Sequence, residues 1–129
     1  MSRVVRRSVP ALLGLAVLWT AAAMDAAGQS TEREFEVTAT KWAFEPERFE
    51  VFEGDQVRFV VRSGDSTHGF AIKRLKVKHK VPRDGGPVTI EVTPREAGEF
   101  EISCSEWCGT GHKRMKALLV VKPRENGTR

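Results

Sequence analysis

From Glu34 to Lys122 the apolar residues fall on alternate positions, and no stretch after residue 28 keeps a helical period. Period-two alternation is the mark of strands with one buried face. The pattern places strands over Glu34–Thr40 (Phe35, Val37, Ala39 on one face), Arg48–Phe52, Gln56–Arg62, His68–Ile72, Val88–Val92, Phe100–Cys104 and Ala117–Lys122. A basic stretch, Lys73–Lys80, adds a further strand with Leu75 and Val77 inward. Glu53-Gly54-Asp55, Ser63-Gly64-Asp65-Ser66 and Glu96-Ala97-Gly98 are the turns between them. Seven or eight short strands at this spacing predict an all-β sandwich or barrel. The chain has 7 Phe, 3 Trp and no Tyr, so the aromatic part of such a core must be mainly phenylalanine.

Chemistry concentrates in one loop, Cys104-Ser-Glu-Trp-Cys108-Gly-Thr-Gly-His112-Lys-Arg-Met115. Two thiols, an imidazole and a thioether suit copper better than any hard cation. His68, in Asp65-Ser-Thr-His68-Gly-Phe70, is a further candidate ligand from a separate segment. A mononuclear blue-copper site uses one cysteine, two histidines and a weak axial methionine. This loop carries one thiol more than that, and two thiolates can bridge two coppers. The same residues leave two other readings open. Two cysteines in an exported chain suit a disulfide, which gives His68, His112 and Met115 no role. Two cysteines and two histidines suit a tetrahedral zinc, which gives Met115 none.

The run C-S-E-W-C-G-x-G-H-x-x-M resembles the copper A loop of cytochrome c oxidase subunit II, and D-x-x-H-G-F resembles that family's first ligand segment. The resemblance spans roughly Glu34 to Lys122. It implies a cupredoxin-like Greek-key β-sandwich holding a dinuclear copper A centre with two copper ions. Cys104 and Cys108 would bridge both coppers, and His68 and His112 would each bind one. Met115 and the backbone carbonyl of Glu106 would be weak ligands, one to each copper. The resemblance also implies electron transfer without a catalytic centre of the chain's own. The domain would accept electrons from cytochrome c, or a similar donor, and pass them to the large subunit of a haem-copper oxidase. The alternatives are a free-standing periplasmic electron carrier and a copper-binding protein outside any oxidase.

Around the ligands, Asp65 reads as an orienting partner for the His68 segment or as a turn residue. Trp107, between the cysteines, reads as a lid against water, as a docking contact for a donor, or as both. Trp42 and Phe44 read as core or rim packing, and His79 as a surface histidine.

Residues 1–28 read as an export signal or N-terminal membrane anchor. Arg3, Arg6 and Arg7 precede an apolar run, Ala11–Ala23, and the small residues Ala26-Ala27-Gly28 follow. The run is shorter than the ~20 residues of a spanning helix. Residues 10–27 nonetheless offer a route to the membrane, and the positive residues before the run put the domain, 33–123, on the extracytoplasmic side. Residues 124–129 form a polar tail. Beyond residue 28 the chain has 18 Lys and Arg against 16 Asp and Glu, a balance of +2. That near-neutrality argues against nucleic-acid binding.

Overall fold

The structure is a computed structural model and describes residues 30–125. The export or anchor segment over 1–28 and the tail residues 126–129 lie outside the described residues. Nine strands are present among the described residues: β1 (Glu32–Thr40), β2 (Ala43–Glu45), β3 (Arg48–Phe52), β4 (Gln56–Ser63), β5 (His68–Ile72), β6 (Val77–Val81), β7 (Val88–Val92), β8 (Gly98–Ser103) and β9 (Lys116–Lys122). They form two sheets, ordered β2-β1-β4-β7 and β3-β9-β8-β5-β6.

Both sheets are mixed. β1 runs parallel to β4, with Phe35 opposite Phe59 and Val37 opposite Val61. β3 runs parallel to β9, with Phe49 opposite Leu119 and Val51 opposite Val121. Matched registers put these apolar positions on the inner faces together, and a slip of one residue would turn each set outward. The sequence pattern undercounts the strands by one or two, because β2 has only three residues. It also misdraws the basic stretch. Lys73–Leu75 is a single 3-10 turn and Lys76 is left-handed, with φ 57°. Only Val77–Val81 is strand. Leu75 and Val77 are half-buried and pack against the core, while His79 is exposed.

The core is a chain of phenylalanine contacts. Ring centroids lie 5.1 Å apart for Phe35–Phe49, 5.2 Å for Phe49–Phe59, 5.1 Å for Phe59–Phe70 and 5.7 Å for Phe44–Phe70. Such pairs contribute about 0.5–1.5 kcal/mol each beyond simple burial. Without tyrosine, no phenol in this core needs a hydrogen-bond partner. The chain of rings passes through Phe70, two residues from His68 on β5, so the first candidate ligand stands on a strand packed into this core.

Asp55, read from sequence as a turn residue, is fully buried. Its carboxylate accepts the backbone N–H groups of Thr31 (3.1 Å) and Phe52 (3.0 Å) and pairs with Arg33 and Arg124. Burial pushes its pKa up, but these hydrogen bonds and cations outweigh burial and hold it below the usual carboxylate range. Asp55 thereby ties Thr31, before β1, to Arg124, after β9.

Candidate metal centre

Cys104 follows the last residue of β8 and Met115 precedes the first of β9. The two strands pair with Ser103 opposite Lys116, and Cys104 N–H donates to the Met115 carbonyl at 3.3 Å. The ligand loop is therefore clamped at both ends by the sheet. Inside it, His112 N–H donates to Gly109 O (3.0 Å) and Arg114 N–H to Gly111 O (2.9 Å), which forms a 3-10 turn over His112–Arg114. Gly109 has φ 119°, a conformation that side chains resist. Gly111 is needed for a different reason: a Cβ there would lie 2.1 Å from the indole of Trp42. Trp42 thus covers the turn that presents His112. Its partner glycines lie far away in sequence, which is why its neighbours in sequence gave no sign of this role.

Both cysteines are free, and their sulfurs lie 3.6 Å apart. That exceeds the ~2.05 Å of a disulfide, so the two sulfurs are not bonded to each other in this structure. One ring nitrogen of His68 and the two sulfurs lie within 4.8 Å of one another, all buried. His112 Nδ1 is 3.9 Å from Cys108 Sγ, and Met115 Sδ is also 3.9 Å from it. The Glu106 carbonyl oxygen lies 3.1 Å from Cys104 Sγ. All six candidate positions therefore converge on the sulfur pair. Of the two candidate histidines His112 is the nearer to solvent: it is half-buried, whereas His68, like Met115, is fully buried.

Asp65 determines which nitrogen of His68 is free. Its Oδ1 lies 2.6 Å from His68 Nε2, its Oδ2 accepts the Lys41 N–H at 2.7 Å, and Ser66 N–H donates to Oδ1 at 2.7 Å. Partial burial raises the Asp65 pKa, but the hydrogen bonds from His68, Lys41 and Ser66 prevail and hold it below the usual carboxylate range. An ionised carboxylate only accepts, so Nε2 carries the proton and Nδ1 keeps its lone pair. Nδ1 is buried and has no hydrogen-bond partner. A buried imidazole nitrogen without a partner is costly. Two thiols beside it make a metal ion its natural partner. Asp65 is thus both a turn residue and the orienting partner.

Burial, followed by the neighbouring Cys104, pushes the Cys108 thiol up to about 11. Thiolates are the ligating form, so metal must displace this proton. Gly69, next to His68, donates its N–H to Cys104 Sγ at 3.4 Å. It also lies close against the loop, because a Cβ there would lie 2.6 Å from the backbone nitrogens of Ser105 and Glu106. Trp107 is 73% exposed, with its ring centroid 5.8 Å from that of His112. Most of the indole therefore faces solvent.

The cupredoxin-like domain family matches residues 11–121. The chain belongs to that family. Among curated relatives, it is 33% identical over 86 residues to cytochrome c oxidase subunit 2 of Thermus thermophilus, covering 67% of this chain and 63% of that protein. It is 39% identical over 72 residues to a probable cytochrome c oxidase subunit 2 of Streptomyces coelicolor, covering 55% of this chain and 22% of that protein. A second Thermus thermophilus subunit 2 is matched over 51% of its length, so the chain spans between half and two thirds of these Thermus relatives. The cupredoxin-like sandwich superposes on the periplasmic domain of subunit II of cytochrome oxidase of Bradyrhizobium japonicum with TM-score 0.65 and 18% identity, covering 75% of this chain and 88% of that one. At that identity the superposition speaks for the fold. Among the described residues, no helix is long and apolar enough to cross a membrane.

Proposed function

We propose that this cupredoxin-like domain is the electron-accepting copper A domain of a cytochrome c oxidase-type subunit II, working outside the cytoplasm. One observation carries the reading: a buried imidazole nitrogen, left without a partner, beside two free thiols whose sulfurs are 3.6 Å apart. The relatives named cytochrome c oxidase subunit 2 support it. Cys104 and Cys108 would bridge two coppers, His68 and His112 would cap one each, and Met115 and the Glu106 carbonyl would be the weak ligands. The copper pair, when bound, supplies a one-electron couple.

The chain's own residues keep that couple fast. Asp65 holds His68 in one tautomer, β8 and β9 clamp the loop ends, and Phe70 anchors the strand beneath. Little can move when charge changes, which is what low reorganisation demands. Half-buried His112 and exposed Trp107 form the path from solvent, where cytochrome c or a similar donor would dock. The large subunit of a haem-copper oxidase would receive the electron.

Copper loading of the purified domain tests this. Two coppers per chain and a paramagnetic spectrum of one electron shared by two nuclei are expected. In Cys108→Ser at most one copper should remain, with a mononuclear spectrum. One copper in the unaltered chain, or an unaltered spectrum in the variant, would overturn the assignment.

A further inference from the structure

The face beside His112 is basic. A groove of about 720 Å³ has Cys104, Ser105 and His112 on one side and Lys73, Lys76, Lys78, Lys113 and Lys116 around it. Glu101 also lines it, but its carboxylate is taken by Lys116 at 2.8 Å. Lys73, Lys76, Lys78 and Lys113 are exposed and take part in no ion pair among the described residues.

Lysines on an edge strand such as β6 commonly guard against edge-to-edge pairing. That accounts for Lys78 but not for the others. Lys73 and Lys76 come from the 3-10 turn and its end, and Lys113 comes from the ligand loop. Three separate elements deliver cations to one groove. Lys76 does so from a left-handed conformation, where glycine or asparagine would cost less.

The closely spaced acidic residues Glu45, Glu47, Glu50, Glu53 and Asp55 lie elsewhere. They surround β3, at the opposite edge of the five-stranded sheet from β6. Several of them are already engaged: Glu50 by Lys122 and Arg48, Glu53 by the N–H groups of Ala97 and Arg124, and Asp55 by Arg33 and Arg124.

We propose that the lysine-lined groove beside His112 is the docking site of an electron-donor protein with an acidic face. The proposal rests on the copper reading above and adds the charge of the partner. Attraction between opposite charges would orient the donor's haem edge toward His112 and Trp107. The donor's haem iron would pass from ferrous to ferric, and that one electron would go to the copper that Cys104, Cys108, His68 and His112 would hold. No bond forms or breaks and no proton need move. A small contact of this kind suits a transient redox encounter.

The test uses the copper-loaded full chain and one lysine-rich c-type cytochrome, before and after succinylation of its lysines. The acidic, succinylated form should reduce the chain faster at low salt. Its second-order rate should fall at least about tenfold between ~10 and ~500 mM salt, as screening removes the attraction. Lys73→Gln, Lys76→Gln and Lys78→Gln combined should lower the low-salt rate by about tenfold. Reduction by neutral hydroquinone should be unchanged in the same variant. Failure of hydroquinone to reduce the unaltered chain would count against the copper reading instead.

In the copper-free chain, amide NMR shifts on adding succinylated cytochrome should cluster at 73–78 and 113–116. Three outcomes would overturn the proposal: a faster reaction with the unmodified basic cytochrome, slowed by salt; shifts clustered around β3; or a triple variant that loses binding to phosphatidylglycerol vesicles while its rate with the acidic donor is unchanged.

Discussion

Replacing Gly69 with alanine probes how tightly the site is built. Gly69 lies in β5, all five of whose residues are buried. One face of that strand meets the phenylalanine core and the other meets the ligand loop. A Cβ on Gly69 would lie 2.6 Å from the backbone nitrogens of both Ser105 and Glu106 and 2.2 Å from Ser105 Oγ. The hydroxyl can rotate away, but the backbone cannot. Ordinary contact starts near 3.4 Å, so the loop must retreat by about 0.8 Å. That exceeds the ~0.5 Å within which a functional constellation must be held.

Overpacking of this kind costs about 1–3 kcal/mol. For a domain of this size each kcal/mol moves the melting temperature by about 4–8 °C, so a fall on the order of 5–20 °C is expected. The retreat also pulls Cys104 away from His68, and copper uptake should weaken in parallel. Thermal melts of the copper-free chain and copper titration of the folded variant measure the two effects separately. Gly111→Ala is the control. Its clash is with the Trp42 indole, at 2.1 Å, so a side chain rather than backbone must give way, and the change should read out as a shift in tryptophan fluorescence. A Gly69→Ala chain with unaltered melting and copper spectrum would refute the close-approach argument.

Further outcomes follow from the site and from the fold. Asp65→Asn removes the carboxylate that fixes the His68 tautomer, and copper affinity, measured by chelator competition, should drop about 10–100-fold in a chain that still folds. Copper uptake near neutral pH should release protons, because the Cys108 thiol sits at about 11 without metal; apparent affinity should therefore rise with pH, and a pH-independent titration would contradict this. The folded pKa of Asp55 lies below its unfolded value of about 3.9, so its stabilisation is complete above that value and is lost as pH falls through the lower folded value. Asp55→Asn should be less stable at neutral pH and should show a shallower acid loss, both readable in urea melts across pH. Trp107→Ala should change stability by less than about 0.5 kcal/mol while slowing reduction by a protein donor.

The ligand loop was legible because its donors are close in sequence and of types that rarely share another purpose. His68 was legible as a candidate by residue type, but its place at the loop was not, since nothing local ties it to a loop brought near by the pairing of β5 with β8. The strands with strict alternation, such as β4 and β7, showed themselves plainly. The two parallel pairs did not: register between distant strands leaves no mark in either strand alone. The stretch Lys73–Lys80 misled because Leu75 and Val77 keep the spacing of a strand while the chain between them turns through a left-handed Lys76. The burial of Asp55 was hidden for a similar reason, since Thr31, Arg33 and Arg124 are remote in sequence. Trp42 read as packing, and it does pack, but against two glycines of the metal loop rather than in the core.

The central claim is that two thiolates hold two metal ions between His68 and His112. Anomalous diffraction at the copper edge from crystals of the loaded protein tests it directly. The account predicts two copper peaks, both within bonding distance of both Cys104 Sγ and Cys108 Sγ, with one histidine Nδ1 on each. A single peak bound to one sulfur, or a His68 ring turned away from both metals, would contradict it.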